Sequence, residues 1–214
     1  VYAEEGQIDL AIREAGHVSE SAGSAQVKAD ALLTLGRIQA SASLFDDAGA
    51  TLKSLVTPTK KSTTSSLAAY ELGFLDLSAN DYAAALEHFK IAAADTSIGD
   101  SLQIQSLYNV GLAYKGLHKF SDAQKTFEKV VEQSPASSLR RHAYYEAGIS
   151  ANNNGDIDKA LTYFKQLLAQ PSNDLTGNAL QSAFNIAHDA KRFAEAEQFA
   201  QRYVREFSNT PLSS

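Results

Sequence analysis

The sequence predicts an all-α protein, a solenoid of five helical hairpins preceded by half of another. Three observations predict this fold. A short apolar pattern recurs along the whole chain at a nearly constant period, its residues have helical spacing, and a second marker recurs at a fixed distance before it. A single hairpin cannot bury its apolar face alone, so repeats of this kind stack on their neighbours and share one continuous core.

The recurring pattern centres on an alanine, with an aromatic residue or isoleucine three positions before it and an apolar residue four positions after it. Consecutive central alanines are 37, 37, 38, 37 and 36 residues apart. Spacings of three and four place side chains on one face of a helix, so each copy predicts one amphipathic helix. The copies are Ile8-Ala11-Ala15, Phe45-Ala48-Leu52, Tyr82-Ala85-Phe89, Phe120-Ala123-Phe127, Ile157-Ala160-Phe164 and Phe193-Ala196-Ala200.

The second marker lies 12 residues before a central alanine and predicts another helix in each unit. It is glycine at Gly36, Gly73, Gly111 and Gly148, and it is Phe184 in the last unit. A glycine inside a helix costs about 1 kcal/mol relative to alanine, so its recurrence indicates close approach of the two helices. The joints between the helices are predicted at Ser43-Leu44, Asn80-Asp81, His118-Lys119, Gly155-Asp156 and Lys191-Arg192.

These units predict a single superhelical domain over residues 1–214. The first copy matches only a second helix, so we expect its partner helix before Val1. Solenoids usually need a polar capping helix, and none is recognisable after Phe207. We therefore expect the chain to continue, or its ends to be covered by a partner or another copy. The predicted segments are a half repeat at 1–20 and repeats at about 29–62, 66–99, 104–137, 141–174 and 177–210.

Composition argues against several classes of function. The net charge of -6 argues against a nucleic-acid binder, which normally presents a basic face. The absence of cysteine excludes a disulfide scaffold, a thiolate metal site and a cysteine nucleophile. No apolar run reaches the roughly 18 residues of a membrane span, and none of the five histidines has metal-site spacing. We expect no enzyme activity, no cofactor, no metal and no membrane insertion within this segment.

The units resemble the tetratricopeptide repeat, whose family norm is about 34 residues. Units averaging near 37 residues, with the extra residues between hairpins, are similar to the bacterial periplasmic and outer-membrane-associated YbgF-like and BamD-like families. This resemblance implies a right-handed α-solenoid. It favours a periplasmic or outer-membrane-associated location and leaves a cytoplasmic one open. The residues that best carry it are Leu107, Val110-Gly111, Tyr114, Phe120, Ala123, Phe127 and Pro135.

The resemblance also implies a concave groove lined by first helices. Counting the glycine marker as position eight, Tyr70, Tyr108 and Tyr145 share position five. Such a tyrosine ladder would bind a partner segment or fill gaps between hairpins. The lysines that some family members use to clamp a C-terminal carboxylate are missing. The predicted groove residues are Tyr70, Phe74, Leu77, Tyr108, Asn109, Leu112, Tyr145, Ile149, Asn185 and His188.

Three functions remain open on the sequence. The first is a scaffold or adaptor that binds a protein or peptide partner in the groove, within a cell-envelope assembly. The second is a self-assembling structural protein, a homo-oligomer formed through uncapped ends. The third is a sensor of a peptide or small ligand, suggested by the polar residues Asn109, Asn152, Asn153, Asn185 and His188.

Overall fold

The computed structural model describes residues 2–57, 62–134 and 138–207, and its regular structure over these ranges is entirely helical. The predicted all-α class is confirmed. A 3₁₀ segment, Thr96–Ile98, precedes the sixth helix. The α-helices are α1 (Tyr2–Ser21), α2 (Ala25–Ser41), α3 (Phe45–Lys53), α4 (Thr63–Ser78), α5 (Tyr82–Ala93), α6 (Asp100–Gly116), α7 (Phe120–Gln133), α8 (Ser138–Asn153), α9 (Ile157–Leu168), α10 (Thr176–Asp189) and α11 (Phe193–Phe207).

Within each of the two units described below, the helices pack as hairpins and successive hairpins stack on one another. α2 packs on α3, α4 on α5, α8 on α9, and α10 on α11. α4 also covers α2 and α3, and α10 covers α8 and α9. Each first helix therefore closes the apolar face left by the hairpin before it, as the repeat predicts.

The chain forms two compact units, Val1–Ala113 and Tyr114–Ser214, with the boundary inside α6. In the first unit Leu33, Leu52 and Leu72 form a buried cluster. In the second unit the larger cluster includes Phe164 and Leu180. The single domain over 1–214 stays a prediction. Parts of the predicted repeats, including Pro135, lie outside the described residues, at 58–61, 135–137 and 208–214.

Every predicted joint contains a residue in the left-handed backbone region, which ends the first helix. The next N–H then donates to a carbonyl five residues back, as from Asp81 to Asp76 at 2.8 Å and from Asp156 to Ala151 at 2.9 Å. This is the Schellman arrangement. Asp81 and Asp156 go on to cap the second helix. The positive φ angles are 62° at Ser43, 58° at Asn80, 56° at His118, 81° at Gly155 and 59° at Lys191.

The glycine marker permits close contact with a bulky residue of the second helix. A Cβ added to Gly73 would lie 2.6 Å from the Phe89 ring, and one added to Gly148 would lie 2.8 Å from the Phe164 ring. Both rings are fully buried. The predicted close approach is therefore confirmed. In the last hairpin the sizes are exchanged, because Phe184 replaces the glycine and Ala200 replaces the phenylalanine.

Candidate functional site

In the first unit, polar bridges join the first helices α2 and α4. Arg37 Nε donates to Glu71 Oε1 at 2.7 Å. One turn or more away, Thr64 Oγ1 donates to Asp30 Oδ1 at 2.9 Å, and Gln26 Nε2 donates to Thr64 Oγ1 at 3.0 Å. These bridges link α2 to α4, the helix that also carries an aromatic surface.

That aromatic surface consists of Tyr70 and Phe74 on α4, seated on Phe89 of α5. The ring centroids of Tyr70 and Phe74 are 4.9 Å apart, and those of Phe74 and Phe89 are 5.3 Å apart, both edge to face. Tyr70 is half-buried, and burial followed by the Glu71 charge raises the pKa of its hydroxyl. Phe74 remains 38% exposed. The surface is thus apolar, accessible and held in place from beneath.

In the second unit the same positions carry a related but more polar surface. The Tyr145 ring lies edge-on to Phe164 at 5.7 Å, in the register that Tyr70 and Phe89 occupy. Its hydroxyl is 3.3 Å from Ser182 Oγ on α10. The Lys115 ammonium donates to Glu146 at 2.5 Å. Tyr145 therefore packs within its hairpin and also contacts the next first helix.

The other predicted groove residues differ in their exposure. Leu77, Tyr108, Leu112 and Ile149 are half-buried. Asn109 is only 4% exposed and its Nδ2 lacks a hydrogen-bond partner among the described residues, unlike the open polar position expected for it.

Asn185 and His188 are exposed on α10. The His188 ring stacks on Phe184 at 5.9 Å. The ladder of three tyrosines involves both units and stays a prediction, as does the complete predicted groove.

In the second unit, ion pairs connect the second helices α9 and α11. Glu195 on α11 accepts from Lys165 of α9 at 2.5 Å and from Arg192 at 2.5 Å. Arg192 also pairs with Asp158. Hydrogen bonds from Lys165 and Arg192 lower the pKa of the Glu195 carboxyl. This face is therefore tied by internal ion pairs.

Nearby, the Tyr163 hydroxyl of α9 donates to the Glu128 carboxylate of α7. Burial, followed by this hydrogen bond, raises the pKa of Tyr163. The contact joins two second helices, α7 and α9.

Sequence reasoning missed an apolar pocket between α10 and α11. It has a volume of about 260 Å³ and is lined by Leu180, Phe184, Phe199, Ala200 and Tyr203 among others. The signal was present in the sequence, because Phe184 and Ala200 depart from the glycine and phenylalanine of the earlier units.

Within the described ranges, no cluster of three or more histidine, aspartate or glutamate side chains could hold a metal ion. Over the same residues, none of the helices combines the length and apolar character needed to cross a bilayer.

The fold and the first-helix surfaces define a helical-hairpin repeat protein. Solved structures share this architecture. MamA is 27% identical over 78% of this chain and 90% of its own, with a TM-score of 0.63. BtubC from P. vanneervenii is 16% identical over 98% of this chain and 94% of its own, with a TM-score of 0.71. A tetratricopeptide repeat protein from Parabacteroides merdae is 17% identical over 96% of this chain and 75% of its own, with a TM-score of 0.67.

Residues 108–174 match the family model of the tetratricopeptide repeat. The match covers the part of the chain whose residues carry the sequence resemblance best, and the solved structures share the helical-repeat fold. A search of curated proteins returned no significant match. Tetratricopeptide-repeat proteins are generally protein–protein interaction scaffolds and are typically non-enzymatic.

Proposed function

We propose that the chain is a scaffold that binds a partner protein segment on its first-helix faces, within a cell-envelope assembly. The observation that carries the proposal is the surface formed by Tyr70 and Phe74. An exposed Phe74 ring rests on a fully buried Phe89 ring, beside a half-buried tyrosine whose hydroxyl edge is polar. Partner side chains would therefore meet a surface that is already ordered.

This arrangement has the chemistry of a binding hot spot. Aromatic side chains are enriched at interface centres because they bury a large area for few rotatable bonds. Since Tyr70 and Phe74 are held by Phe89, little side-chain freedom would be lost on binding. The flanking Arg37–Glu71 pair would form part of a polar rim.

The second unit would extend the same mode of binding. Asn185 and His188 expose hydrogen-bonding groups on α10, which could form hydrogen bonds with the backbone of a partner. Tyr145 and Ile149 would provide the apolar part of that surface.

Site-specific photo-crosslinking in native cells tests this surface. A photoreactive phenylalanine analogue would replace Phe74 in the first unit or Asn185 in the second. We expect a defined crosslinked product at both positions, containing the same partner by mass spectrometry.

Matched controls come from the second helices. Ile91 on α5 is exposed to nearly the same extent as Phe74, at 37% against 38%. Gln166 on α9 is exposed in the second unit. Crosslinking of the same partner with equal yield from Ile91 and Gln166 would contradict a first-helix binding face.

The envelope location is supported by the unit length, which averages 37 residues between central alanines and resembles the periplasmic and outer-membrane-associated repeat families. Fractionation of cells that produce the native protein tests it. We expect the protein and its crosslinked product in the periplasmic or outer-membrane fraction. Recovery of both in the cytoplasmic fraction alone would remove the envelope from the proposal and leave the binding face intact.

A further inference from the structure

The pocket between α10 and α11 is formed by other residues than the first-helix aromatic site, and its origin can be traced position by position. In α4–α5 the volume at this place is filled by Tyr70 and Phe89, whose rings are 6.0 Å apart. In α8–α9 it is filled by Tyr145 and Phe164.

The corresponding residues of the last hairpin are Gln181 and Ala200. Two aromatic rings are thus absent where α4–α5 and α8–α9 have them. The Phe184 ring restores only part of the lost volume, because about 260 Å³ stays open beside it.

The stacking of earlier hairpins shows what kind of segment covers such a face. In the second unit α10 lies across α8 and α9, where the seam is already filled by Tyr145 and Phe164. Ala179 and Ala183 are fully buried in the same cluster as Phe164. A helix arriving on α10–α11 would meet an open seam instead, and would fill it only with a bulky side chain.

Part of the pocket wall is exposed among the described residues. Tyr203 is 43% exposed and Val204 is 61% exposed, although both line the pocket. A volume near 260 Å³ is below the roughly 300–1,000 Å³ of drug-sized ligand sites and suits one side chain.

We propose that this pocket receives one aromatic side chain from an amphipathic helix of a partner protein, which lies across α10 and α11 as α10 lies across α8 and α9. The partner helix buries Tyr203 and Val204 and continues the stacking already present in the unit. A two-fold contact between identical copies fits less well, because such a contact must supply both pocket and inserted side chain from one surface. Here the exposed Tyr203 and Val204 form the pocket wall itself.

The test uses two synthetic peptides and the full chain. Both peptides are labelled amphipathic helices of about 18 residues, long enough to form a helix on binding. One carries phenylalanine at the centre of its apolar face and the other carries alanine there. In fluorescence-anisotropy titrations, the phenylalanine peptide should bind the protein at least about tenfold more tightly than the alanine peptide, a difference of 1.4 kcal/mol.

Filling the pocket should remove this preference. In Ala200→Phe the new ring occupies the open volume, and the two peptides should bind equally. Val204→Lys places a charge at the exposed rim and should also make the two peptides bind equally. If one of the two variants fails to fold, the other still tests the proposal. Ala50→Phe, at an exposed helical position of α3, should keep the full preference.

Equal binding of both peptides to the unaltered chain would overturn the proposal, as would a preference that persists in both pocket variants. Sedimentation velocity and truncation identify other occupants. A dimer that Ala200→Phe dissociates would assign the pocket to a second copy. If a chain ending at residue 207 binds the phenylalanine peptide about tenfold more tightly than the full chain does, residues 208–214 occupy the pocket in the full chain. Either result would overturn the proposal without affecting the first-helix site.

Discussion

At the residue scale, the joints show that different residue types adopt the same left-handed backbone conformation. The repeat period located all five joints, and each contains a residue with positive φ. Only Gly155 adopts this conformation without a steric penalty from Cβ. Serine, asparagine, histidine and lysine occupy the other four, because the Schellman hydrogen bonds and the packed helices impose the same turn on each.

Lys191→Gly should stabilise the protein by about 0.5–1 kcal/mol. The φ of Lys191 is 59°, and the left-handed conformation costs a residue with a Cβ about 1–2 kcal/mol. Part of this gain is lost because glycine makes the unfolded chain more flexible. Urea unfolding measures the change. Gly155→Ala should lower the stability, because φ is 81° there and alanine would be strained in this conformation. No neighbouring atom lies within 4 Å of the added Cβ, so the backbone conformation alone accounts for the effect.

Lys129→Gly is the matched control, because Lys129 is exposed within the regular α7 helix. It should lose about 1 kcal/mol. If both lysine-to-glycine substitutions change stability in the same direction, the conformation of the Lys191 turn is not what limits stability there.

The environment of the tyrosines was less accessible to sequence reasoning. The repeat placed Tyr70 and Tyr145 on first helices, but helical spacing alone does not distinguish a groove residue from one that packs within its hairpin. The structure gives both tyrosines contacts to a second-helix phenylalanine, with polar contacts or charges beside the hydroxyl. Asn109 illustrates the same limit, because its burial depends on packing that no local pattern encodes.

At the element scale, close approach within a hairpin depends on matched sizes at one contact point. The sequence predicted this from the recurring glycine, since a helix has no local reason to keep one. The partner residue could be identified only from the structure, because it lies 16 residues further along, on the second helix.

Gly73→Ala should destabilise the protein by up to about 2 kcal/mol. The added Cβ would lie 2.6 Å from the buried Phe89 ring, and overpacking of this kind costs about 1–3 kcal/mol. The better helix propensity of alanine returns about 1 kcal/mol. Thermal and urea unfolding give the net value.

Two comparisons isolate the contact. Gly49→Ala, in α3 with no atom within 4 Å of the added Cβ, should stabilise the chain by about 1 kcal/mol. In a Phe89→Ala background, Gly73→Ala should change from destabilising to neutral or stabilising. Equal effects of Gly73→Ala in both backgrounds would show that the ring is not the obstacle.

The ion pairs between α9 and α11 predict a pH dependence. The folded protein lowers the pKa of Glu195 below its ordinary 4.5, so the unfolded chain binds a proton more readily. Ionised Glu195 therefore stabilises the fold above that pH, and its contribution is lost as pH falls through the lower folded pKa. Glu195→Gln should cost under about 1 kcal/mol at pH 7, because the site is close to the surface.

The difference between Glu195→Gln and the unaltered protein should shrink as pH falls below 4.5 and as salt rises. Urea titrations at several pH values measure it. Glu132→Gln, an exposed glutamate on α7, should be nearly neutral throughout. A cost for Glu195→Gln that is constant across this pH range would contradict the ion-pair explanation.

At the scale of the whole molecule, burial is unevenly distributed among the helices. α1 contains no fully buried apolar residue among its described side chains, and Leu10 and Val18 are exposed. By contrast, α9 buries Leu161, Phe164 and Leu167 almost completely. Repeat proteins derive stability from each unit and its nearest neighbours, so local stability should follow this distribution.

Native-state hydrogen exchange should therefore show the fastest exchange in α1 and strong protection in α9. Regions with few buried apolar contacts open with a small free energy, whereas core helices open only in larger unfolding events. Mass spectrometry of peptic fragments gives the rates helix by helix. Protection in α1 equal to that in α9 would contradict the expectation from burial.

The helical-hairpin architecture could be predicted from the constant spacing of the central alanines, because a strict repeat encodes one supersecondary unit many times. The pocket between α10 and α11 was not predicted, because it forms where the last hairpin differs from the repeat pattern. Phe184 and Ala200 each appear unremarkable alone, and only their joint position in the hairpin reveals the open volume.

The exchange of sizes at Phe184 and Ala200 also limits how this chain can be recombined. A chimera that joins an α8-type helix to α11 would set glycine against alanine and leave a hole at the contact that Gly148 and Phe164 fill in α8–α9. A crossover of this kind within a hairpin should therefore yield a less stable product than a crossover placed in the loop between two hairpins.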